Sequence, residues 1–144
     1  MIVNGVNGVL MAKFHSQAVP GLLCHMCCST DAGYYGRSDL VDPEERLQVA
    51  ILQFEKGKLF QPHIHLKRER PILVTQEAWV VLKGSVKVRY FDLDKNHIAD
   101  VVLSAGDISM TFRGGHGYEM LEDSEVVEFK LGQFAAEGDK EYIG

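Results

Sequence analysis

From Leu47 onward, short runs of β-branched and aromatic residues alternate with turn signals at regular intervals. This spacing is typical of an antiparallel sandwich or barrel. No segment carries a long apolar period of 3.6 residues, so no long helix is expected. Four glycines, Gly57, Gly84, Gly106 and Gly114, are predicted to be turn residues with positive φ. The predicted strands are 47–54, 59–65, 78–82, 85–93, 98–103, 108–112, 117–121 and 125–131.

The chain of 144 residues is expected to form one domain with three parts. Residues 1–46 contain many turn signals and short apolar pieces, which predicts an arm with short strands and turns. Residues 47–134 carry the strand pattern of an antiparallel sandwich or barrel. Residues 135–144 are small and polar, and we expect a loose tail.

Charge and composition argue against several classes of function. The net charge of −5 is unlike that of a nucleic-acid-binding protein. No apolar run is long enough to span a membrane, and the first residues do not resemble a signal peptide. Three clustered cysteines, Cys24, Cys27 and Cys28, make a poor disulfide framework, so we expect a cytoplasmic protein. The single Cys-x-x-Cys favours partly buried thiols over a zinc or redox site.

Two histidines, His63 and His65, lie two residues apart on a predicted strand. Side chains with this spacing share one face of the strand, so both imidazoles would point into the same space. This is one way in which a β-scaffold supplies two ligands to a first-row metal ion. The alternative is a pair of surface or hydrogen-bonded histidines.

Two linked motifs in this chain resemble those of the cupins. In that family, Gly, five residues and His-x-His are followed by Glu, six residues and Gly, and a second motif contains two glycines and a histidine. Glu77 is assigned as the acidic residue although a longer loop, 66–76, precedes it; Glu69 is the alternative. The matching residues are Gly57, His63, His65, Glu77 and Gly84 in the first motif and Gly106 and Gly114 in the second. In the second motif, Phe112 replaces the family's proline, and His116 comes one residue earlier than the family's histidine.

The resemblance implies an all-β fold, a single-domain jelly-roll barrel (double-stranded β-helix) with an N-terminal arm. It implies that His63, His65, Glu77 and His116 hold a divalent metal ion inside this barrel. Iron, manganese, nickel and zinc are all compatible with three imidazoles and one carboxylate. A homodimer is also expected, because exposed strand edges invite pairing and because the family usually dimerises.

A narrower resemblance, over 114–123 and 128–134, is to small bacterial cupins associated with surface-polysaccharide and sugar-nucleotide pathways. Three residues are candidates for binding a substrate. Arg113 suits an anionic group, Tyr118 flanks the second motif, and Trp79 shares strand parity with Glu77. The expected partner is a small molecule rather than a nucleic acid or a membrane.

Three functions are therefore considered. The first is a metal-dependent small-molecule enzyme, a dioxygenase or isomerase, that uses the four predicted ligands. The second is a metal-independent enzyme, similar to sugar-nucleotide isomerases or epimerases, in which His63 or His116 moves a proton next to a carbonyl. The third is a module that binds a small ligand without turnover. Fold alone does not choose among them.

Overall fold

A computed structural model describes residues 4–5, 8–9, 11–30, 35–69, 71–132, 137–138 and 140–144. Within these ranges the secondary structure is strand, turn and irregular chain, with no helix. The strands are β1 (Asn4–Gly5), β2 (Gly8–Val9), β3 (Met11–His15), β4 (Leu23–Ser29), β5 (Gly36–Asp39), β6 (Ala50–Gln53), β7 (Glu77–Lys83), β8 (Ser85–Phe91), β9 (His97–Ser104), β10 (Asp107–Thr111), β11 (Gly115–Met120) and β12 (Glu125–Lys130).

The described strands form antiparallel sheets, which confirms the prediction of an all-β fold. The largest sheet has five strands in the order β12-β7-β10-β4-β3, and a second has three in the order β11-β8-β9. Two-stranded sheets join β1 to β2 and β5 to β6. This arrangement is consistent with a β-sandwich, and the described strands do not close into a barrel.

Seven of the eight predicted strands are present, as β6 to β12. The prediction for 59–65 is wrong, because the structure gives these residues no strand. Pro62 has no N–H to donate to a sheet, and the surrounding side chains are exposed. The four predicted turn glycines are confirmed: φ is 94° at Gly57 and Gly84, 90° at Gly106 and 80° at Gly114.

The five-stranded sheet carries hydrophobic side chains on both faces. One cluster fills the space between this sheet and the three-stranded sheet and includes Val81, Val88 and Tyr90. The other, which includes Met26 and Met110, covers the opposite face. Neighbouring residues of β4 therefore point to different clusters, and the strand is buried on both sides. This double burial explains why β4 shows no alternation of polar and apolar residues.

The predicted arm, 1–46, contributes two strands to the five-stranded sheet, since β4 pairs with both β3 and β10. Asp92, which follows β8, also holds the arm in place. Its carboxylate accepts hydrogen bonds from the hydroxyl of Ser16 at 2.5 Å and from the backbone N–H of Gln17 at 2.7 Å. The boundary at residue 46 stays a prediction, but residues on either side of it form one sheet.

The contacts of Asp92 generate a prediction for stability against pH. The hydrogen bond from Ser16, together with those from the backbone of residues 17, 18 and 93, lowers the pKa of Asp92 to about 2. The carboxylate therefore stabilises the fold above pH ~4, and this contribution is lost as pH falls towards 2. We expect Asp92→Asn to lower the free energy of unfolding at pH 7 by about 2 kcal/mol.

Urea unfolding at pH 7 and at pH 3 measures this effect. The difference in the free energy of unfolding between wild type and Asp92→Asn should be smaller at pH 3 than at pH 7. Asp94→Asn is the matched control, because Asp94 lies in the same turn but is exposed, and its carboxylate accepts hydrogen bonds from the nearby Asn96. Equal losses of stability in the two variants would contradict the prediction.

Candidate functional site

Four polar residues lie side by side across the inner face of the five-stranded sheet. Thr111 on β10 is opposite His25 on β4 and also opposite Glu77 on β7. Glu77 is in turn opposite Lys130 on β12. The four side chains therefore form one lateral row, which we call the polar row, at the end of the sandwich where β10 leaves the sheet.

His116 meets the polar row from the three-stranded sheet. It lies on β11 opposite Tyr90 of β8. Its Nε2 is 2.7 Å from Oε1 of Glu77, and its Nδ1 is 3.0 Å from Oγ1 of Thr111. The structure thus brings together two residues that the sequence predicts at the site, Glu77 and His116. Both side chains are largely buried, 10% exposed for Glu77 and 24% for His116.

His25 lies at the inner end of the polar row and is fully buried. Its Nδ1 is 3.1 Å from Oγ1 of Thr111, and its Nε2 is 2.9 Å from the carbonyl oxygen of Phe91. Its ring stacks on Tyr90 with 4.4 Å between centroids. Burial lowers the pKa of His25 to about 4, so this ring is neutral at neutral pH.

Glu77 is ionised at neutral pH. Burial opposes its ionisation, but the hydrogen bond to His116 and the charges of His116, Lys130 and Lys140 outweigh burial and lower the pKa of Glu77. The Nζ of Lys130 is 4.0 Å from Oε2 of Glu77. The carboxylate is therefore held between an imidazole and an ammonium group.

A cavity of about 530 Å³ opens beside Glu77 and His116. Its walls come from the polar row, from the turn between β10 and β11, from β8 and from the chain end at 140–143. Three cationic side chains line it: Arg89, Lys130 and Lys140. Two carboxylates also line it, and the outer one, Glu141, is paired with Lys95 at 2.6 Å. The cavity therefore suits a small molecule with negative charge.

The segment predicted to bring His63 and His65 to this site does not reach it. Both histidines are exposed, and their rings contact each other at 5.0 Å between centroids. Apolar residues of the same segment, such as Leu59 and Ile64, are 86% and 90% exposed. Glu69, the alternative acidic residue, is also exposed. Across the described ranges, no three His, Cys, Asp or Glu side chains form a group that could hold a metal ion.

The three residues predicted to bind a substrate make contacts within the protein. Arg113 forms a bidentate ion pair with Glu45, at 2.7 and 3.1 Å, and donates to the carbonyl of Leu23. The rings of Trp79 and Tyr118 stack at 3.7 Å between centroids, across the two sheets. None of the three is among the residues that line the cavity. A role of these three residues in binding a substrate stays a prediction.

The cysteines are free thiols buried in β4. Burial raises the pKa of Cys27 and of Cys28 to about 12, so neither is a thiolate at neutral pH. The sequence predicts partly buried thiols here, and the structure buries them fully, because β4 is covered on both faces.

Sequence reasoning missed His25, Thr111 and Lys130. A single polar residue within the apolar run 22–28 was the available signal for His25, because β4 is covered on both faces. Thr111 and Lys130 gave no signal, since their relation to Glu77 depends on the pairing of distant strands.

The chain matches no protein-family model, no curated protein and no solved structure. In the part of the chain that the structure describes, no helix is long and apolar enough to cross a membrane.

The burial of neutral His25 predicts that stability falls on acidification. Because the pKa of His25 is lowered from 6.5 to about 4, the unfolded chain binds the extra proton first. The free energy of unfolding should therefore decrease as pH falls from 6.5 to 4, by up to about 3 kcal/mol from this residue. We expect His25→Phe to reduce this pH dependence, although it also lowers stability at pH 7 by leaving Thr111 and the Phe91 carbonyl without His25.

Urea unfolding at several pH values between 7 and 4 gives the slope of the free energy of unfolding against pH for wild type and for His25→Phe. His15→Gln provides the control, because His15 is exposed on β3. A slope for His25→Phe equal to that of wild type would show that His25 does not cause the pH dependence.

Proposed function

We propose that the protein is a small-molecule enzyme in which Glu77 and His116 move a proton on an anionic substrate. The hydrogen bond of 2.7 Å between His116 Nε2 and Glu77 Oε1, beside a cavity of about 530 Å³, is the observation that carries this proposal. A carboxylate that orients an imidazole is a recurring acid–base arrangement in enzymes. Partial burial of both groups strengthens their electrostatic effect on a bound molecule.

The charges around the cavity support an anionic substrate. Arg89 and Lys130 belong to different sheets, and Lys140 belongs to the chain end, so a negative group would be met from three directions. Arg89 also lies near Asp100, at 3.8 Å, and is half exposed, so it remains accessible. Phosphate and carboxylate groups are the anions that such side chains bind best.

The reaction class we favour is isomerisation or epimerisation next to a carbonyl. In this reaction a C–H bond adjacent to the carbonyl breaks, an enolate forms, and a proton returns to the same or a neighbouring carbon. No other reactant is consumed, so an acid–base pair is sufficient. A keto-sugar linked to a nucleoside diphosphate combines the carbonyl with the required negative charge, and it agrees with the resemblance to cupins of sugar-nucleotide pathways. Membership of the cupins, with its closed barrel, stays part of this proposal.

Exchange of substrate hydrogen with D₂O tests the proposal. We expect the wild-type protein to exchange the hydrogen next to the carbonyl of a nucleotide-linked keto-sugar, which is read by proton NMR. Glu77→Gln and His116→Gln should each slow this exchange by about 100-fold or more, because either change removes a member of the pair.

His15→Gln is the matched control, because His15 is an exposed histidine on β3, the edge strand of the five-stranded sheet, and it does not line the cavity. Unchanged exchange in Glu77→Gln or His116→Gln would contradict the assignment of the pair. Absence of exchange in the wild type with nucleotide-linked keto-sugars would refute this reaction class.

A metal-dependent enzyme is the second candidate. It is favoured by the observation that two of the four predicted ligands, Glu77 and His116, share one cavity. The fit to iron, manganese, nickel or zinc is partial, because His63 and His65 are on the exposed segment. When bound, such an ion would polarise a substrate oxygen.

Elemental analysis of the purified protein separates the two candidates, with His63→Ala/His65→Ala as the comparison. The metal-dependent proposal expects near-stoichiometric metal in the wild type, lost together with activity in the double variant. The acid–base proposal expects hydrogen exchange that does not depend on metal content. The acid–base proposal would be overturned if the protein holds stoichiometric metal and removal of this metal by chelation stops the exchange.

A further inference from the structure

The side chains behind His116 form a chain of hydrogen bonds that starts at a backbone carbonyl. It runs from the Phe91 carbonyl through His25 and Thr111 to Nδ1 of His116. We propose that His25 and Thr111 are positioning residues, which place a proton on Nδ1 of His116 and leave Nε2 to face Glu77 and the cavity. The role of His116 in catalysis rests on the proposed function, whereas the protonation of its Nδ1 follows from the hydrogen bonds alone.

The first hydrogen bond of this series, between His25 and the Phe91 carbonyl, determines which group donates in each of the following bonds. A carbonyl oxygen only accepts hydrogen bonds, so Nε2 of His25, 2.9 Å from the Phe91 oxygen, must carry a proton. Gly114 keeps this bond free of side chains. A Cβ at this position would collide with the Phe91 oxygen and lie 3.2 Å from Nε2 of His25. The positive φ of 80° at Gly114 also disfavours any other residue there.

The second and third bonds follow from the first. His25 is fully buried and carries one ring proton, so its Nδ1 is an acceptor. Thr111 must therefore donate its only hydroxyl proton to His25, across 3.1 Å. The hydroxyl oxygen is then left as an acceptor towards His116, across 3.0 Å. Nδ1 of His116 consequently carries a proton. The low pKa of His25, about 4, agrees with its neutral form.

The fixed proton on Nδ1 determines what the other ring nitrogen does. Nε2 of His116 and Oε1 of Glu77, 2.7 Å apart, share one further proton. This is the proton that the pair can give to a substrate and take back, because the Nδ1 proton is held by Thr111. With the alternative tautomer, His25 and His116 would both present a bare Nδ1 to Thr111, whose single hydroxyl proton can serve only one of them.

Nitrogen-15 NMR of the histidine rings tests the proposal without an activity assay. Long-range proton–nitrogen correlations distinguish a protonated ring nitrogen from a bare one, and His25→Phe and His116→Gln identify the two rings. In the wild-type protein at pH 7 we expect His116 with a protonated Nδ1 and His25 with a bare Nδ1 and a protonated Nε2. A bare Nδ1 on His116, or a protonated Nδ1 on His25, would overturn the proposal.

Two variants of Thr111 give the second test. Thr111→Val removes the hydroxyl, and we expect His116 to lose its fixed Nδ1–H and to show a mixture of both tautomers. Thr111→Ser keeps the hydroxyl and should restore the wild-type pattern. Ser109→Ala is the matched control, because Ser109 is buried on the same strand and same face but bonds to Tyr90. A wild-type pattern for His116 in Thr111→Val would overturn the role of Thr111.

The outcomes separate this inference from the proposed function. If Thr111→Val does not fold, the wild-type spectrum and Thr111→Ser still decide the tautomer. A correct tautomer without hydrogen exchange in any keto-sugar refutes the proposed function alone. Exchange with the opposite tautomer refutes the positioning role alone.

Discussion

The hydrogen bond between Glu77 and His116 joins the two main sheets at the end of the sandwich, beside the contact of His116 with Thr111. Glu77 comes from β7 of the five-stranded sheet and His116 from β11 of the three-stranded sheet. Elsewhere the space between these sheets is filled mainly by apolar side chains. A buried carboxylate in such a place is costly unless it is paired, and His116 and Lys130 supply the partners. The register of β7, β10 and β12 is therefore a requirement of the site as well as of the fold.

Much of the fold could be predicted because the period of the strands and the turn glycines are local properties. The strands from β7 to β12 and the glycines that end them follow from such signals. The strand predicted at 59–65 failed because alternation in sequence does not supply a neighbour to pair with, and Pro62 removes one donor. The arm was read as irregular because β4, covered on both faces, has no alternating pattern. The place of β4 inside the sheet depends on pairing with β10, far along the chain.

The candidate site was predictable only in part, for the same reason. Glu77 and His116 carried a motif, and the structure places them in contact. His63 belonged to the same motif but lies on a segment that no strand anchors. Arg113 has a partner that its local sequence does not predict. A cation beside a glycine turn suggests an anion site, but Glu45 already provides the carboxylate with ideal bidentate geometry. Composition could not reveal that partner, 68 residues away.

His25 and His116 share one threonine but face different surroundings, and this difference separates their roles. His25 is fully buried, its two ring nitrogens contact the Phe91 carbonyl and the Thr111 hydroxyl, and its ring stacks on Tyr90. His116 lies against a carboxylate and borders the cavity. The first ring can therefore hold hydrogen bonds in a fixed direction, while the second can exchange a proton with a bound molecule. In the function proposed above, two residues of one type become a support and an acid–base group because the sheet places a carbonyl behind one and a carboxylate beside the other.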